Sequence, residues 1–101
     1  PQAFLALQQG KVFAVTTDES ILVNLLGMAA NKERYEIPDL QISDEPYGLG
    51  IRKGDKAFLA FVDKVLVEME RSGEAKQIFE KWFGPASQTP LKRNFRISAG
   101  K

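Results

Sequence analysis

The spacing of apolar residues changes period several times along the chain, and each change delimits an element. Ala3, Phe4, Leu5, Ala6 and Leu7, followed by Gln8 and Gln9, are helix formers closed by Gly10, a natural helix stop. Residues 11–16 form a short β-favouring run, the pattern of a buried strand. Thr17, Asp18, Glu19 and Ser20 bring N-cap chemistry and early acidic charge, and the apolar spacing of residues 21–30 then predicts a packed helix. Helix, strand and helix in that order make half of a parallel α/β unit.

Residues 31–35 are polar and read as a loop. Residues 36–43 alternate partially, with Pro38 confining any strand to an edge or to its beginning. After the turn signal Asp44-Glu45-Pro46, residues 47–52 alternate cleanly. Tyr47, Leu49 and Ile51 share one face and Gly48 and Gly50 the other, which predicts a strand with something packed close against its backbone. Lys53-Gly54-Asp55 ends it and offers Asp55 as an N-cap.

The strongest helical signal follows. Phe58, Phe61, Val62, Val65, Leu66 and Met69 recur at three- and four-residue steps, with Asp63, Lys64, Glu68 and Glu70 off the stripe. Ser72-Gly73-Glu74 breaks it, and a second helix carries Ile78, Phe79, Trp82 and Phe83, read as core, to a Gly84-Pro85 stop. Beyond Pro85 the chain reads as a loop anchored by Phe95 and Ile97 alone.

Composition narrows the function classes. The 101 residues suit one compact domain, 44% hydrophobic and 27% charged, within the range of folded chains. A formal net charge of +1 gives no field that points to nucleic acid or an anionic membrane. With neither Cys nor His, disulfides, thiol catalysis, the usual zinc sites and any Ser-His triad are excluded, and no cofactor or metal is expected. No apolar run approaches the roughly 20 residues of a membrane span. The opening at Pro1, with neither Met nor a basic leader, reads as an interior start, so the chain is expected to be a piece of a longer one.

Asp18 is the most suggestive residue. It stands where a strand pattern runs out into a helix start, the crevice position at which open α/β sheets bind ligands. Its carboxylate can cap its own helix, the commoner use, or face a cleft and pair with a ligand ammonium. Glu19 and Ser20 read as first-turn surface groups. Consecutive helix-start residues point about 100° apart, so Asp18 and Glu19 do not form a catalytic acid pair. Gly48 and Gly50 lack the third glycine of a phosphate loop. Lys92, Arg93 and Arg96 around Phe95 read as solvated surface.

Three passages, taken in order, resemble periplasmic polar amino-acid-binding proteins, the solute-receptor subunits of ABC importers. Residues 7–18, Leu-Gln-Gln-Gly-Lys-Val-Phe-Ala-Val-Thr-Thr-Asp, are similar to that family's Leu-x-x-Gly-Lys/Arg-x-Asp-Ala-x-x-x-Asp passage. Residues 44–55 resemble its return crossing, with Tyr47-Gly48, Arg52-Lys53 and Asp55 in place. Residues 72–84, with Ser72-Gly73, Ile78 and Lys81-Trp82-Phe83, are similar to its closing helix. The glutamate/aspartate-type receptors look closest, because they too can lack the first Asp of the opening passage, here Phe13.

The resemblance implies a fold and a site. The fold would be α/β, part of a periplasmic-binding-protein type II lobe with a short mixed sheet packed by helices. Residues 1–37 would be the later part of the second lobe, 38–54 the hinge crossing strand, 55–84 the closing helices that pack on the first lobe, and 85–101 a tail. Asp18 would bind the α-amino group of an amino acid, with Thr17 beside it. The Arg for the α-carboxylate would lie upstream of Pro1, and neither Arg52 nor Lys53 is assigned to it. The resemblance further implies an extracytoplasmic protein that delivers amino acids to an ABC permease, binds without catalysis, and as this stretch alone binds weakly. Self-association, by an exposed helix stripe or by exchange of elements about 43–54, would accompany it. Alternatives are a sensing module of the same fold in a signalling protein or channel, a dehydratase-like enzyme on the scaffold, and an unrelated small α/β interaction domain.

Overall fold

The computed structural model describes residues 1–99, and its regular elements are helical: α1 (Gln2–Gln8), α2 (Glu19–Met28), a 3-10 turn (Lys32–Arg34), α3 (Lys56–Ser72) and α4 (Glu74–Phe83). They fall into two compact units. One comprises Pro1–Asp39 with Trp82–Lys92; the other comprises Leu40–Lys81 with the chain from Arg93 onward.

In the first unit α1 ends as its sequence dictates. Gly10 takes φ 70°, its N–H bonds the Leu7 carbonyl at 3.0 Å, and the Lys11 N–H reaches back to Ala6 at 2.9 Å. This paired closure satisfies two carbonyls that a helix end otherwise leaves open. The Phe4 and Tyr35 rings meet at 5.5 Å, tying α1 to the segment after the 3-10 turn. Leu22, Leu25 and Leu26 on α2 are half-buried at three- and four-residue steps. Segment 84–92 has no regular structure, as expected of a loop, and folds back. The Thr89 hydroxyl donates to the Trp82 carbonyl (3.0 Å) and the Leu91 N–H to that of Phe83 (2.9 Å), so the end of α4 is satisfied by the chain that leaves it. A Cβ at Gly27 would lie 3.2 Å from the Gln88 carbonyl oxygen, so the returning segment lies close against α2.

In the second unit Asp55 is the expected N-cap, its Oδ1 accepting the Phe58 N–H at 3.0 Å. Helix α3 runs 17 residues to Gly73, which adopts φ 87° and starts α4 after a single left-handed step. Val62, Leu66 and Met69 are half-buried, whereas Phe58, Phe61 and Val65 of the same stripe stay exposed. Phe79 is half-buried and stands edge-on to Phe95 at 5.8 Å. Trp82, expected in the core with Phe79 and Phe83, is 61% exposed.

The expected strands are the main correction. Among the described residues none is in a strand: 11–16, 36–43 and 47–52 all lack ladder pairing. Phe13 is fully exposed, residues 40–50 are exposed throughout, and a Cβ at Gly48 or Gly50 would meet nothing within 4 Å. Alternation states which faces a strand would have, but a strand exists only where a neighbouring backbone takes up its N–H and C=O groups. No segment here does so. The short mixed sheet is therefore not formed among the described residues.

Candidate functional site

Asp18 and Asp55 are the same residue type at the same helical position, and they are used differently. Both precede a helix, and both main-chain carbonyls serve the first turn; that of Asp18 accepts the N–H groups of Ile21 (2.9 Å) and Leu22 (3.1 Å). Asp55 adds a side-chain bond to the Phe58 N–H, whereas the Asp18 carboxylate makes no such bond to the amides of α2. The commoner use of a carboxylate at this place, capping, is therefore not its role.

Asp18 is half-buried with φ −56° and ψ 139°, extended backbone that turns directly into α2, and Thr17 before it is exposed. Glu19 occupies the first turn, where the helix's partial positive charge favours acids. A carboxylate with a neighbouring hydroxyl can accept charge-assisted hydrogen bonds from an ammonium. Asp18 and Glu19 are consecutive across the helix start and supply no second group for general acid and base work. Arg52 and Lys53 are exposed in the turn before α3, where the Asp55 N–H closes on the Arg52 carbonyl at 3.2 Å.

A second polar cluster escaped the sequence reading. Arg93, expected in a solvated patch with Lys92 and Arg96, instead grips Glu70 through two N–H groups, Nη1 to Oε1 at 3.0 Å and Nη2 to Oε2. The Ile97 N–H adds a third bond to Oε2 at 3.0 Å. The side chains are only 16% and 11% exposed. Arg93 and the Ile97 amide hold the Glu70 carboxyl down at about 2, partly opposed by desolvation, and Glu70 in turn raises Arg93. Lys92 and Arg96 do lie in solvent, Arg96 with its Nε 3.9 Å from Glu70. One signal was available: Glu70 lies four residues after Leu66 and eight after Val62, on the flank of the apolar stripe, where a carboxylate requires a partner.

Among the described residues no helix is long and apolar enough to cross a membrane, and no three acidic side chains gather as a metal site.

Comparison with known proteins sets these features in a lineage. Residues 3–85 match the family of bacterial extracellular solute-binding proteins, family 3. The ABC transporter glutamine-binding protein of Bacillus subtilis is 36% identical over 81 residues, 80% of this chain and 29% of the relative. The L-glutamate/L-aspartate-binding protein of Pseudomonas aeruginosa is 33% identical over 98 residues, 96% of this chain and 32% of the relative. The glutamate/aspartate import solute-binding protein of Escherichia coli is 32% identical over 97 residues, 95% and 32% of the two chains. The chain thus spans about a third of the length of the curated relatives it matches. No solved structure gives a significant match. Since the family match takes in Asp18, α3 and α4 in one continuous span, the chain belongs to family 3 of the bacterial extracellular solute-binding proteins.

Proposed function

We propose that this chain is part of an extracytoplasmic receptor for polar amino acids of the glutamate, aspartate and glutamine class, handing its ligand to an ABC permease and performing no chemistry on it. The carrying observation is the family match over residues 3–85, a span that alignments with relatives named for glutamine and for glutamate/aspartate binding overlap. In this reading Asp18 takes the ligand's α-amino group, with Thr17 as an auxiliary hydroxyl. The position of Asp18 at the start of α2, and a side chain not used as its cap, support that assignment. An ammonium pairs well with a carboxylate in a site that excludes water.

The same reading makes residues 1–37 part of the second lobe of a type II binding-protein fold, 38–54 its hinge crossing, 55–84 the closing helices and 85–101 the tail. Residues 11–16 and 47–52 would then pair as strands in a sheet completed by other backbone, for which their β-favouring alternation is suited.

Titration calorimetry on the full natural polypeptide that carries this sequence tests the proposal. Micromolar binding of at least one of glutamate, aspartate, glutamine or arginine is expected, weakened about tenfold or more by Asp18→Asn. Absence of binding across that panel overturns the function. Binding that Asp18→Asn leaves untouched overturns the site.

A further inference from the structure

Residues 93–97 have an unusual mode of attachment. Among the described residues no main-chain to main-chain hydrogen bond involves 93–99. Their polar anchorage runs to one group, the Glu70 carboxylate, which takes two N–H bonds from Arg93 and one from the Ile97 amide. Phe95 supplies the apolar contact, stacked under the Arg93 guanidinium at 4.7 Å and edge-on to Phe79. Immediately before this segment the chain is held independently, by Leu91 to Phe83 and by Thr89 to Trp82.

The closed arrangement also carries a built-in cost. Arg93 Nε is buried with no hydrogen-bond partner. An unsatisfied buried donor, added to the desolvation of a nearly enclosed ion pair, offsets much of what the fork contributes. Opening the segment would hydrate Arg93 fully and leave α3 with its own helical hydrogen bonds intact.

We propose that residues 93–97 form a releasable strap, latched to α3 by Glu70 as its single keeper, which opens as a unit while α3 and α4 remain folded. Two features make it a device and not a frayed end: convergence of its donors on one acceptor makes release all-or-none, and the pins at Thr89 and Leu91 confine release to the residues after them. Cooperative local opening of this kind is the low-energy end of a protein's native fluctuations.

Amide hydrogen exchange on the 101-residue chain tests it, beside limited trypsin digestion. In the parent chain the Ile97 amide, the one bonded to Glu70, should exchange faster than the centre of α3, and trypsin should cut after Arg93 and Arg96 before any site in α3. Glu70→Gln, which keeps the shape and removes the charge, should speed both readouts about tenfold or more while exchange within α3 and α4 stays unchanged. Ile97→Pro, which deletes one donor and leaves the ion pair, should speed trypsin cleavage after Arg93 by less. Unchanged exchange of the Ile97 amide in Glu70→Gln overturns the keeper. Ile97 exchange that rises only together with α3, in parent or variants, overturns the strap as a separate unit. If Glu70→Gln fails to fold, the parent chain alone decides through the order of its tryptic cuts.

Discussion

Glu70 and Arg93, separated by 23 positions in sequence, meet as a two-bond fork in which both side chains are nearly enclosed. The folded-state carboxyl sits at about 2 against an ordinary 4.5, so the fork's contribution is complete above about pH 4.5 and is lost as pH falls towards 2. The charged groups facing it are guanidinium groups, those of Arg93 and Arg96, and the acid transition belongs to Glu70. The Ile97 amide resonance, whose N–H bonds Oε2, should follow a single titration with its midpoint near 2. A midpoint near 4.5 would show that the fork does not form in solution.

Asp55 fixes where α3 begins. Its side chain satisfies the Phe58 N–H, one of the amides a helix start leaves open, and Asp55→Ala should destabilise the chain by about 1 kcal/mol. Asp55→Asn should recover most of that, since an amide oxygen caps nearly as well. Urea denaturation of the three proteins checks the order: parent and Asn variant close together, Ala variant below.

Asp55 and Asp18 also show which features a sequence can convey. The stop at Gly10, the cap at Asp55, the break at Gly73 and the end of α4 before Gly84 depend on residues a few positions apart, and all four were legible. The strands at 11–16 and 47–52 were not decidable that way: Tyr47, Leu49 and Ile51 encode a face, but pairing depends on a backbone elsewhere. Arg93 was misread for a related reason. Its own neighbours, Lys92 and Asn94, suggest solvent, and its partner lies a whole helix away. Asp18 is the intermediate case, its helix-start position readable and the use of its carboxylate not.

Gly27 should resist the usual stabilising substitution. Replacing an interior helical glycine with alanine ordinarily gains about 0.5–1 kcal/mol. Here the new methyl would lie 3.2 Å from the Gln88 carbonyl, in a segment tethered by Ser87 and Thr89 and unable to withdraw freely. Gly27→Ala should therefore show no gain in thermal midpoint, and Gly27→Val a clear loss. A rise with alanine would mean that segment 84–92 yields.

Phe58 and Phe61 stack at 6.5 Å on an exposed face of α3 that also carries Val65. Concentrated solutions of the 101-residue chain should bring such faces together, since another copy is the most abundant apolar surface present. Light scattering should report a mass above the monomer that falls back with Phe61→Glu. A clean monomer at high concentration would count against self-association by this face.

The proposed function makes a quantitative demand on this chain by itself. An amino acid carries two opposite charges at its α-carbon, and tight capture needs a partner for each. In the unit that holds Asp18 the only guanidinium is Arg34, in the 3-10 turn after α2, and in the other unit Arg93 is occupied by Glu70. With Asp18 for the ammonium and no dedicated partner for the carboxylate, the 101-residue chain should bind glutamate, aspartate, glutamine and arginine no more tightly than roughly millimolar, near −4 kcal/mol. Calorimetry with these four ligands measures this directly. Micromolar binding by this chain would show that a carboxylate partner is already present within it, and mutation of Arg34, Arg52 and Arg96 in turn would find which residue it is.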